Sequence, residues 1–167
     1  METPMRSIRL ALTATTLALA AAVAHAYDPK ATIADFDASL ARIGAPKIEG
    51  TDTVAGKTVP ALFFGERKIN NNFDAVDALR RKHGATATVF VKDGDEFTRI
   101  STNVLTPDGK RGLGTQLARN AAYAAVSQGN SYCGPIDVLG TAYDACYNPI
   151  KDASGKVIGV TYIGHKK

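Results

Sequence analysis

Two cysteines and three histidines are all that the 167 residues offer as soft metal ligands. They form no cluster, which argues against a zinc or haem site, and no cofactor is expected. No serine, histidine and aspartate fall in a triad order. No acid/base pair stands close together in a clear role, so the chain is not expected to be an enzyme. The net charge of +4 comes from scattered basic residues. There is no basic stripe interleaved with aromatics, which excludes nucleic acid as a partner and leaves a solvated mixed surface. Gly112-Leu113-Gly114 is a lone G-x-G without a preceding dinucleotide-binding strand, and reads as a plain turn. Beyond residue 26 no apolar run is long enough to cross a bilayer, which takes about 20 residues.

The N-terminus is different in kind. Arg6 and Arg9 precede the apolar run LALTATTLALAAAVA at 10–24, and Ala24-His25-Ala26 follows. A basic start, a short apolar middle and a small-residue A-x-A site make a secretory signal peptide. The run is too short and too rich in alanine and threonine for a membrane anchor. The expectation is cleavage after Ala26, with a periplasmic mature chain of residues 27–167. Two arginines and one glutamate leave with the signal, which lowers the charge from +4 to +3. A chain of this length suits one domain with its own core.

Asp28-Pro29 reads as an N-cap and first helical position, followed by Ile33, Phe36, Leu40 and Ile43 at helical spacing and Gly44 as a stop. Residues 45–60 are mixed and turn-rich and read as a loop, with short strand pieces at most. Ala61–Phe64 reads as a short buried strand. A second helix is expected from the caps Asn70–Asn72, with Phe73, Val76 and Leu79 inward, four basic residues in its last turn and Gly84 closing it. Residues 85–92 and 95–105 read as a hairpin about Asp93-Gly94. Residues 120–128 read as a short helix capped by Asn120. Two further hairpins turn at Leu139-Gly140 and at 152–155. The pattern predicts an α+β domain with about five antiparallel strands in one sheet. The last strand, VIGVTYI, is apolar throughout and should be central, covered on both faces.

Both cysteines fall in one hairpin. A two-residue tip at Leu139-Gly140 pairs 138 with 141 and, counting outward, Cys133 with Cys146 in a non-hydrogen-bonded pair. There the Cα atoms approach to about 4.5 Å, within reach of a disulfide. An exported address supplies the oxidising conditions. The register therefore predicts a Cys133–Cys146 bridge, worth about 3 kcal/mol at most for so short a loop. The alternative is two buried thiols acting as small hydrophobes.

The succession ATVFVKDGDEFTRIST, DGKRGLGTQL, AYAAVSQGNSYCG and LGTAYDACYNPIKDASGKVIGVTYIG resembles the extracytoplasmic Cache sensor domains of bacterial chemoreceptors. The nearest kind is the single Cache domain of Cache 3/Cache 2 fusion type. The likeness runs from about Pro60 to Gly164. It implies a PAS-like fold: a long N-terminal helix on a sheet of about five antiparallel strands, short inserted helices, and a small-molecule pocket on the other face. It also implies binding of a small metabolite, such as a carboxylate or an amino acid, without catalysis. Family members usually sit between two membrane helices. This chain looks like a free-standing periplasmic form, for which ligand capture or docking to a membrane-bound sensor protein would be the role.

Period-two alternation places Phe97, Arg99 and Ser101 on one face of their strand, and Tyr143 and Tyr147 on one face of theirs, opposite Cys146. An arginine on a mostly buried strand needs an anionic partner, and its planar fork suits a carboxylate. Tyrosines supply an apolar wall with a hydroxyl. Arg99 matches the arginine of the family's F-x-R piece, and Tyr143 and Tyr147 match two family tyrosines. Thr141 stands where many members carry a lysine. The candidate ligand-binding residues are Arg99, Ser101, Tyr123, Tyr143 and Tyr147; the alternative is an Arg99 that extends to solvent or pairs with an internal acid such as Glu96 or Asp144, with the tyrosines as core. A second reading leaves the pocket vestigial and makes the domain a protein–protein module, touching its partner through the N-terminal helix stripe or residues 45–60. The signal-peptide expectation is checked by N-terminal mass spectrometry of exported protein, whose first residues should be Tyr27-Asp28-Pro29.

Overall fold

The computed structural model describes residues 27–167; the expected signal peptide and its expected cleavage site after Ala26 lie outside the described residues. The first helix, α1 (Pro29–Ala41), begins where the sequence places it. Asp28 accepts from the backbone N–H groups of Lys30 and Ala31 at 2.9 and 3.2 Å, and Pro29 occupies the first position. It has 13 residues, about 20 Å of helix, shorter than the long helix expected from the family. Ile33, Phe36 and Leu40 are buried, each contributing roughly 1.5–3 kcal/mol.

Residues 45–60 are not a loop. β1 (Pro46–Val54) and β2 (Lys57–Phe64) form an antiparallel hairpin about Ala55-Gly56, and the two-residue β3 (Arg67–Lys68) completes a small sheet in the order β1-β2-β3. β1 is largely exposed, so it carries no apolar alternation. Its turn lacks the usual Asn-Gly, although both Ala55 and Gly56 take positive φ.

α2 (Asp74–His83) follows, ended by Gly84 in a left-handed conformation. Its expected cap triplet divides. Asn72 accepts from the N–H of Asp74, while Asn70 is buried and bridges the backbone of Leu62 and Pro60. β4 (Thr86–Asp93) and β5 (Glu96–Thr102) pair antiparallel. Their tip is Gly94-Asp95, one residue later than expected, because Gly94 supplies the positive φ (58°) at the first turn position. α3 (Ala121–Ser127) is capped by the Asn120 side chain. β6 (Tyr132–Val138), β7 (Thr141–Lys151) and β8 (Val157–Lys166) close the chain.

The main sheet is antiparallel in the order β5-β4-β8-β7-β6, with β8 in the middle and almost wholly buried. Cys133 and Cys146 are paired residues joined by a disulfide, with Cα atoms 4.1 Å apart. Two apolar clusters lie on opposite sides of this sheet. One contains Phe36, Leu62, Val89, Val91, Ile100 and Cys146, covered by α1, α2 and β2. The other contains Phe90, Phe97, Tyr143, Tyr147, Val160 and Tyr162, covered by α3 and the segment after β5.

Asp37 ties α1 to the sheet. Its carboxylate accepts from Thr161 Oγ1 and Asn148 Nδ2, both at 2.6 Å, and burial raises it above its ordinary value of 3.8. The folded state thus holds this proton more tightly than the unfolded chain. The contribution to stability falls as pH rises from the unfolded value through the raised folded one. Wild type should lose stability over that range relative to Asp37→Asn, measured by urea unfolding; parallel pH curves for the two proteins would show that the group does not titrate this way.

Candidate functional site

Arg99 is 3% exposed. β5 brings it there by alternation: Phe97 and Arg99 face the side of Phe90 and Tyr147. The backbone holds it from both directions, since its N–H donates to Thr115 O and its carbonyl accepts from Gly114 N, each at 2.9 Å. Leu117 N donates to Phe97 O in the same way, so residues 114–117 run along the outer edge of β5 and cover it. The guanidinium lies over the Phe90 ring, 4.8 Å from its centroid. Nη1 donates to Thr115 Oγ1 at 2.8 Å and to Gln116 O at 3.4 Å. Nε has no acceptor, and among the described residues Nη2 has none either. None of the ion pairs among the described residues includes Arg99. Burial pushes its pKa below the ordinary arginine value, while Tyr147 and Tyr162 hold it up.

A cavity of about 240 Å³ opens beside this group. Arg99 and Tyr147 both line it, with Gln116, Leu117 and Asn120 from the covering segment and Asp137, Val138 and Leu139 from the β6–β7 hairpin; one oxygen of the Asp137 carboxylate accepts from the Gly140 N–H. Tyr147 is 1% exposed, its ring 4.9 Å from that of Tyr162. Burial raises the Tyr147 phenol, opposed by the neighbouring Arg99 charge. Among the described residues its hydroxyl makes no hydrogen bond, whereas the Tyr162 hydroxyl meets Thr86 Oγ1 at 3.1 Å. The Nε/Nη2 edge of a guanidinium grips a carboxylate through two parallel N–H···O bonds, and here that edge lacks a protein acceptor.

The other candidate residues lie elsewhere. Ser101 is a correction. Strict alternation put it with Arg99, but the register shifts between Val89 and Phe90: Ser101 pairs with Val89, Arg99 pairs with Phe90, and Ile100 is the extra residue of a bulge. The inserted residue turns Ser101 to the opposite face, where its hydroxyl donates to Asn72 O at 2.5 Å. Tyr143 shares the face of Tyr147 but lines a separate cleft of about 350 Å³ with Thr86, Leu105 and Lys166. Tyr123 is half-buried; its hydroxyl donates to Asp95 O at 2.6 Å and its ring meets Phe97 edge-on. Gln116, Leu117, Asn120 and Leu139 escaped the sequence reading as wall residues. Residues 103–120 have no period from which an inward face could be read. The Leu139-Gly140 tip was visible, but not what it packs against.

A larger cleft, about 660 Å³, is not at this site. It lies between β1 and the tips of the β4–β5 and β7–β8 hairpins, with Lys47, Ile48, Lys92 and Lys156 along it. It is open, and among the described residues lining it none is a buried unpartnered donor comparable to Arg99.

The sheet order and its two covered faces are those of an α+β sensor-type fold, with a buried guanidinium beside a cavity; the extracellular sensor role comes with the family. The Cache 3/Cache 2 fusion domain profile matches residues 15–167, and the chain belongs to that family. Comparison with curated proteins gave no match. The disulfide fits an oxidising compartment, and among the described residues no helix is long and apolar enough to cross a membrane.

A buried charge without a counter-ion costs stability that an apolar side chain of similar length would not. Arg99→Met, without added ligand, should melt within about 2 °C of wild type or above it. A fall of more than about 5 °C in calorimetry would instead identify the guanidinium as a structural strut.

Proposed function

We propose that the mature domain is a periplasmic receptor that captures a small anionic metabolite, a carboxylate, in the cavity beside Arg99 and performs no chemistry on it. The single observation that carries this reading is the guanidinium edge left without an acceptor in a buried site. Arginine is weakly hydrated and geometrically matched to a carboxylate, and an incoming anion would supply the hydrogen bonds and the counter-charge that the fold withholds. The Tyr147 hydroxyl is a second free polar group on the same wall. The chemistry of the group supports binding rather than catalysis, because a guanidinium remains protonated at neutral pH and makes a poor general acid or base. The oxidising address fits the disulfide and the signal-like N-terminus.

The test is calorimetric and thermal-shift titration of the domain with small carboxylates, amino acids and amines. Arg99→Ala is expected to weaken a carboxylate by roughly 1.5–3 kcal/mol, the value of a charge-assisted hydrogen bond. A broad panel without a stabilising anion would remove the reading.

The alternative, a docking module for a membrane-bound sensor with a vestigial pocket, draws on the large cleft, where Ile48 is 37% exposed. It uses residues 45–60. The α1 stripe is no longer available to it, because Ile33, Phe36 and Leu40 are buried against the sheet. Co-purification of a membrane protein that is unaffected by Arg99→Ala and lost on Ile48→Glu would favour that role.

A further inference from the structure

Leu139 occupies a position that suits leucine poorly. Its φ is 52° and that of Gly140 is 83°, so the β6–β7 tip has two successive left-handed residues. That geometry favours asparagine followed by glycine, and a branched side chain is strained in it. An exposed hairpin tip has no need of a leucine, yet this one is turned inward. It packs on the apolar cluster of the Arg99 face and lines the cavity with Leu117 and Tyr147. Its Cδ1 fills the space over Gly112: a Cβ built on that glycine would stand 2.8 Å away. The tip is fixed beneath it, since Gly140 N–H donates to Asp137 Oδ1 at 2.9 Å. The Cys133–Cys146 bridge joins the two strands of the same hairpin. A strained side chain held in a notch by a cross-linked hairpin, on the wall of a cavity, has a use there that its turn does not require.

We propose that Leu139, seated over Gly112, closes the Arg99 cavity and sets the length of the guest, admitting a carboxylate with a short apolar tail and rejecting a long one. This rests on the receptor reading above for the identity of the guest, but the closure itself rests only on the strain, the notch and the wall.

Two variants separate bulk from strain. Leu139→Asn suits the turn and shortens the side chain; Leu139→Ala shortens it and keeps the unfavourable backbone. Each is titrated with acetate, butyrate and octanoate, and separately treated with phenylglyoxal, which condenses with accessible guanidinium groups, with peptide mapping of Arg99. Wild type is expected to prefer butyrate over octanoate at least tenfold. Both variants should bind octanoate at least tenfold better than wild type does, with acetate changed less than threefold. Arg99 should label at least fivefold faster in both variants, while Arg111, half-buried on Asp77, labels as before. Leu139→Asn should melt above Leu139→Ala. Unchanged Arg99 labelling in both variants overturns the closure, as does a parallel rise at Arg111. Unchanged octanoate selectivity overturns the length rule. If no carboxylate binds wild type while Arg99 labelling still depends on Leu139, the receptor reading fails and the closure stands.

Discussion

A guanidinium enclosed by a sheet, an aromatic ring and a covering segment, with no ion-pair partner among the described residues, is the constraint on which the organisation of this domain turns. Leaving one charge uncompensated in a low-dielectric setting is unfavourable. The surroundings offset only part of it. Phe90 contributes its ring face, Thr115 and Gln116 accept from one nitrogen, and the rest of the fork remains unmet. Such an arrangement persists only where the fold is stable enough to tolerate it. The stability comes from the opposite face of the sheet, where α1, α2 and β2 bury a continuous apolar cluster.

The division of labour between the two faces follows from β8. As the middle strand it is covered on both sides, so its residues alternate between a packing face and a cavity face. Val160 and Tyr162 serve the cavity side, and Thr161 reaches back to Asp37 on α1. Asn148, the residue after Tyr147, meets the same carboxylate. The tyrosine pair beside Arg99 and the hydrogen bonds that seat α1 are therefore adjacent links of the same two paired strands. On the outer edge, the disulfide fixes β6 to β7, which keeps the hairpin that forms the cavity wall from fraying at a strand with only one neighbour.

For an extracellular Cache domain this gives a consistent division. The packing face supplies rigidity, and the cavity face carries the buried guanidinium whose Nε lacks an acceptor. The covering segment 103–120 adds hydrogen bonds to the edge of β5, protecting an edge that would otherwise be open to pairing with other chains and walling the cavity at the same time.

Much of this was written in the local pattern. The caps of α1 and α3, the apolar run of β8 and the mirrored cysteines are legible because helix, strand and hairpin each impose a short period. The sheet's central strand and the disulfide both follow from counting. So do the shared face of Phe97 with Arg99 and that of Tyr143 with Tyr147, since no bulge separates the members of either pair. The small sheet of β1–β3 was hidden because its edge strand is exposed and mixed in character. Ser101 was misplaced because one extra residue at Ile100 reverses parity, and a bulge is set by the pairing of two strands rather than by either alone. The walls of the cavity, from Gln116 to Leu139, were decided by tertiary structure only: an irregular segment has no period, and what it covers depends on residues distant in the chain. In the regular, unbulged elements the sequence by itself determined which side chains point inward; the fold decided the rest and which of them meet, because contact depends on register and closure, and these are properties of paired strands.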